Sequence, residues 1–145
     1  MYVDKVSVVT DEIYSAMALL VPQLGAHKVV PTRAELDALV RSEASTLLIV
    51  RYPDENGGTV GMLTLTVYRV PTGIRSIVED VIVDEKMRRL GIAEALMRRA
   101  IDLAREAGAG GVALTSNPTR EAANKLYQAL GFEKRETNAY FYKLK

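Results

Sequence analysis

The chain has 145 residues, enough for one domain that buries most of its apolar surface without covalent staples. Its 19 Lys and Arg against 18 Asp and Glu leave a net charge of +1, which gives no general attraction to nucleic acid or anionic lipid, so any anion site is local. Cysteine is absent, which excludes a disulfide framework, a thiolate nucleophile and a cysteine metal site.

The opening "MYVDKVSVVTDE" lacks the basic start and apolar core of a signal peptide, and no apolar run approaches the ~20 residues that span a bilayer. A cytoplasmic protein with one domain over 1–145 is expected. "YVDKVSVVT" has the β-branched content of a strand, and Thr10 or Asp11 can cap a helix through "DEIYSAMALLVPQLG" that Pro22 kinks or ends near Gly25. Thr32 can cap a second helix, "RAELDALVRSE", with Leu36, Leu39 and Val40 at helical spacing. "STLLIVRY" and "GTVGMLTLTVYRV" are apolar strands joined by "PDENGG", and so predict a hairpin.

"PTGIRS" reads as a loop, and "IVEDVIVD" as a central strand, apolar on both faces except at Glu79 and Asp80. "MRRLGIAEALMRRAIDLAREAG" (87–108) then predicts an amphipathic helix ended by Gly108, with Leu90, Ala93, Leu96, Met97, Ala100, Ile101 and Ala104 on its apolar side. "GVALT" is a strand, "NPTREAANKLYQALG" a helix with Pro118 in its first turn, and "FEKRETNAYFYKL" a closing hairpin. The order is βααβββαβαββ. It describes an α/β (α+β) domain with a mixed sheet of six to seven strands and about four helices.

The start of the 87–108 helix is electrostatically odd. Helix N-termini carry unpaired N–H groups and partial positive charge, so Arg88 and Arg89 there are unfavourable unless an anion binds. Gly91 removes the side chain from the approach to those N–H groups and Ala93 keeps it small, which suits a phosphate. Solvated arginines, with Gly91 relieving a clash against the sheet, would explain the same residues.

Arg88-Arg89-Leu90-Gly91-Ile92-Ala93 fits the R/Q-x-x-G-x-G/A signature of the GNAT N-acetyltransferases, between the fourth strand and third helix as in that family. "AANKLYQALGFEKRE" also resembles the family's later segment, with Tyr127 and the Gly131-Phe132 pair in place. The element order is similar along essentially the whole chain, and the specific motifs cover 77–142. The resemblance implies a GNAT fold and acetyl-CoA as co-substrate, with no metal. Its diphosphate would lie on the N–H groups of Arg89, Leu90, Gly91, Ile92 and Ala93, balanced by Arg88 and Arg89. Its pantetheine arm would pair with the backbone of the Val81-Ile82-Val83 strand, through Val81 and Val83, by strand addition. A plain core strand is compatible with the same three residues.

The sequence departs from the family pattern at Met87, often aromatic, at Arg89, often glycine, and at Arg120, frequently asparagine. Arg120, Asn124 and Tyr127 share a helix face, so Asn124 can supply the amide contact to the cofactor, or the face can simply be solvated. Tyr127 is a core tyrosine by its neighbours and the general acid by resemblance. Glu79, or water, would be the base. Glu79 and Asp80 are adjacent in a strand and are expected on opposite sheet faces. His27 reads as an exposed loop residue.

With no cysteine and no histidine near the motifs, direct attack by an acceptor amine in a ternary complex is expected rather than an acyl-enzyme. The acceptor would be a primary amine of a small molecule, peptide or protein, with no nucleic-acid or membrane partner, and a homodimer is left open. Tyr68, Arg69 and Arg75 could meet an anionic or aromatic acceptor. The alternative is a non-catalytic acyl-CoA-binding or sensing domain of the same fold.

Overall fold

A computed structural model describes all of residues 1–145. The backbone divides into two compact units, Met1–Thr115 and Ser116–Lys145. The first contains β1 (Tyr2–Lys5), α1 (Asp11–Leu20), α2 (Arg33–Arg41), β2 (Ser45–Tyr52), β3 (Gly58–Val70), β4 (Gly73–Val83), α3 (Ile92–Glu106) and β5 (Val112–Ala113). The second contains α4 (Glu121–Ala129). No helix is long and apolar enough to cross a membrane.

The five strands form one mixed sheet in the order β1-β2-β3-β4-β5, antiparallel except for the parallel β4–β5 pair. The expected α/β architecture is present with fewer strands, because residues 133–145 form no closing hairpin. Two boundaries also differ from the sequence reading. Gly73–Ser76 belongs to β4 rather than to a loop, because its backbone pairs with Val67, Tyr68, Arg69 and Val70 of β3. Pro118 precedes α4 instead of entering its first turn.

Helices cover both faces of the sheet. Ile13, Ala16, Met17 and Leu20 of α1 recur at helical spacing, and with Leu36 of α2 they pack on Leu47, Ile49, Met62 and Ile82. The opposite face carries α3, whose first turn crosses Gly61: a Cβ there would lie 3.3 Å from Ile92 Cγ2 and 3.5 Å from Leu96 Cδ1. Helix starts on the first face are capped locally. Thr10 accepts from Ile13 N–H, and Thr32 and Glu35 form a reciprocal capping box. The Glu35 carboxyl is held below its ordinary range by the Thr32 backbone N–H and hydroxyl.

Candidate active site

The β3–β4 ladder changes register between Met62 and Thr64, where β4 carries one extra residue. Asp80 absorbs it with a left-handed φ of 52°, uncommon for a residue with a side chain. Val78 opposes Leu65 while Ile82 opposes Met62, three positions along β3, so these two buried residues lie on opposite faces although they are four apart. The rule that neighbours alternate therefore fails at Glu79 and Asp80, both exposed. Two consecutive charges mark the place in an otherwise apolar strand, but nothing in them specifies the extra residue.

The bulge also sets which backbone groups face outward. Asp84 N–H donates to Val60 O at 2.8 Å, so Asp84 and Ile82 direct their backbone groups at β3. Those of Val81 and Val83 point to the other edge. There β5 pairs with β4 only through Ser76 and Ile77, reinforced by Ser76 Oγ donating to Gly111 O at 2.7 Å. The β4 edge beyond Ile77 has no ladder with β5 and is open to an added strand-like ligand. Ile82, buried in the core, can offer it no side chain.

After Val83, Asp84 caps a 3₁₀ turn over Glu85–Met87. Arg88 and Arg89 then precede α3 instead of occupying its first turn, which corrects the sequence reading of a helix beginning at Met87. Arg89 and Gly91 have left-handed φ values of 67° and 77°. This alternation of backbone hand turns successive N–H groups toward one side, the geometry of an anion-binding concavity. Gly91 is the N-cap of α3 and, having no side chain, leaves the first-turn N–H groups of Ile92, Ala93 and Glu94 without a side-chain cap.

Arg88, Arg89, Leu90 and Gly91 are exposed, Ala93 is half-buried and Ile92 is buried on the sheet. The structure pairs Arg33, Arg51, Arg98, Arg99 and Arg105 with carboxylates, and Arg88 and Arg89 stand outside those pairs. Glu94, the acidic residue of the first turn, is drawn to Arg98 at 3.6 Å. Positive charge and free donors thus coincide at the end of the open β4 edge.

In the second unit, Asn124 Nδ2 donates to Asn117 O at 3.0 Å and to Arg120 O at 2.8 Å, tying down the start of α4. Its Oδ1 is the group it can still offer a ligand. Gly131, with φ 101°, reverses the chain after α4 so that Phe132 N–H reaches Tyr127 O at 2.9 Å. The same reversal sets the two rings edge to face at 6.0 Å, which explains the Tyr…Gly-Phe spacing physically. Tyr127 is buried, and burial lifts its phenol pKa, opposed by the charge of Arg120. His27 is exposed, as its loop position suggested.

A family profile described as "Acetyltransferase (GNAT) family" matches residues 13–132. The chain belongs to this family. No curated protein matches it in sequence. Among solved structures it is similar to an aminoglycoside acetyltransferase, meta-AAC0020, from an uncultured soil metagenomic sample. That pair has a TM-score of 0.83 at 16% identity, covering 99% of this chain and 96% of that one. A transcriptional regulator from Bacillus halodurans C-125 gives 0.79 at 20%, over 98% and 100% of the two chains. AAC(6')-Iy, solved with a bisubstrate analogue of CoA and acetylneamine, gives 0.75 at 19%, over 99% of each. At these identities the likeness establishes the GNAT fold, and the neighbours' substrates remain their own.

Proposed function

We propose that this chain transfers an acetyl group from acetyl-CoA to a primary amine of a small molecule, peptide or protein, by direct attack in a ternary complex. The observation that carries the reading is the uncapped, left-handed start of α3 at Arg88–Gly91, placed where the unpaired edge of β4 ends. The residues suit the co-substrate's chemistry. The N–H groups of residues 89–93 receive the diphosphate, and Arg88 and Arg89 balance its charge. Outward backbone groups of Val81 and Val83 receive the amide-bearing pantetheine arm, which pairs as a strand would.

The amine attacks the thioester carbonyl as a neutral nucleophile. A β4 N–H near Val81 stabilises the developing oxyanion. The leaving thiolate takes a proton from Tyr127, which is neutral at neutral pH as any tyrosine is; burial raises its pKa and makes it a weaker donor, matched to the sulfur only as that develops charge. Glu79, exposed on β4, or water takes the proton of an ammonium acceptor. Asn124 contributes its Oδ1 to the cofactor. Membership of the acetyltransferase family supports this assignment, as does the CoA analogue in one structural neighbour.

Calorimetry with acetyl-CoA, followed by thiol release over a panel of amines, polyamines, amino acids and peptide N-termini, tests the proposal. Binding followed by transfer to at least one amine is expected. Binding with no transfer to any acceptor would instead make the protein an acyl-CoA sensor. No binding would refute both readings.

A further inference from the structure

The turn that delivers the chain from β4 to the left-handed loop is held from a distant part of the sequence. Gln23 lies in the 3₁₀ turn Val21–Leu24 that follows α1. Its Oε1 accepts the Glu85 N–H at 2.9 Å, across a separation of 62 residues. Its Nε2 donates to Leu19 O at 3.2 Å, a carbonyl near the C-terminal end of α1, and stands 3.5 Å from Asp84 Oδ1. Asp84 in turn receives Lys86 N–H on that same Oδ1 at 3.2 Å and Met87 N–H on its backbone carbonyl at 2.8 Å.

We infer that Gln23 is a positioning residue for the anion loop, setting the N–H groups of residues 89–93 through Asp84 and Glu85 without touching the ligand. This rests on the functional reading above. The Glu85 N–H opens a 3₁₀ turn and has no partner within that turn, so Gln23 satisfies a donor that would otherwise leave the turn free to shift. Between Val83 and Ile92 the hydrogen bonds that tie the turn to distant parts of the chain are the Asp84 bond to Val60 and those of Gln23; the bonds of Lys86 and Met87 to Asp84 and of Ala95 to Gly91 are local. Only the extended Arg88 separates the turn from left-handed Arg89, so a rotation of the turn is passed on to the donors. Gln23 is half-buried and outside the hydrophobic core, so its amide can be removed without opening a core cavity.

Gln23→Met keeps the length and approximate volume of the side chain while deleting both hydrogen-bonding groups, and Gln23→Ala serves as a second variant if Met misfolds. Calorimetry compares CoA, which carries the diphosphate, with pantetheine, which lacks it. CoA is expected to weaken about five- to tenfold, the scale of one hydrogen bond, and pantetheine by less than about twofold. A ligand-free readout runs in parallel: amide hydrogen exchange at Glu85–Ile92 should accelerate while β2 and β3 keep their protection. Equal weakening of the two ligands, or unchanged exchange in the turn, would overturn the role of Gln23. Failure of the wild type to bind CoA overturns the functional reading instead, and the exchange experiment still decides whether Gln23 orders the loop.

Discussion

Gly91 allows the anion site to be tested with backbone and charge effects separated. Its φ of 77° is left-handed, and a Cβ built there meets only Met1 Cε, at 4.0 Å. Gly91→Ala therefore loses no packing and pays for conformation alone, roughly 1–2 kcal/mol. For a chain of this size that lowers Tm by roughly 2–8 °C. The strain is present with and without ligand, so it cancels from binding, and acetyl-CoA affinity should stay within a fewfold of wild type. Gly91→Glu carries the same strain and adds a carboxylate beside the uncapped N–H groups. At about 4 Å, repulsion per pair of unit charges runs from about 1 kcal/mol in water to about 4 kcal/mol near a protein surface. The Glu variant should bind between about fivefold and a thousandfold more weakly than the Ala variant, nearer the lower figure because Gly91 is exposed. Calorimetry on folded proteins at low and high salt reads this difference, which should narrow as salt rises. Equal affinities for the two variants at low salt would refute the placement of the diphosphate at this loop.

Arg88→Ala and Arg89→Ala should each weaken CoA more than pantetheine by calorimetry, and identical losses would mean that the arginines hold no phosphate. Tyr127→Phe keeps the ring against Phe132 and deletes the hydroxyl, so single-turnover transfer should fall by about 10²- to 10⁴-fold, with cofactor affinity retained; an unchanged rate would return Tyr127 to a purely structural role. Because burial raises the Tyr127 pKa, the neutral phenol's contribution is fully present below the unfolded value near 10 and is lost as pH rises through the higher folded value. Melting at pH 8 and pH 11 should therefore show the Phe variant gaining on wild type at the alkaline end. Gly61→Ala would place a Cβ 3.2 Å from Ile82 O and 3.3 Å from Ile92 Cγ2, so denaturant unfolding should report a loss of about 1–3 kcal/mol, and an unchanged midpoint would contradict the close approach of α3 to β3.

The cap at Thr32, the narrowing of the first cap to Thr10 or Asp11, the β2–β3 hairpin and the apolar stripe of α3 were legible in the sequence because each is signalled by a local pattern of residues. So was the R-x-x-G-x-A signature, and with it the location of the candidate site. Its backbone was not. The sequence reading put the arginines in a helical first turn; the structure sets them just before it, ending the 3₁₀ turn at Met87 and giving Arg89 and Gly91 left-handed conformations, so the positive charge still adjoins the uncapped N–H groups. Periodicity reports which side chains share a face, but it cannot distinguish a helix start from the loop leading into it.

Tertiary structure alone decided three further things: the bulge at Asp80, which turns Val81 and Val83 outward; the end of β4–β5 pairing at Ile77; and the grip of Gln23 on Glu85. The hairpin read from "FEKRETNAYFYKL" is not formed, so its strand-like composition alone did not produce pairing. The local sequence determined the donors and charges of the site. Their direction depends on pairing between segments far apart in the chain, whose geometry no short stretch of residues encodes.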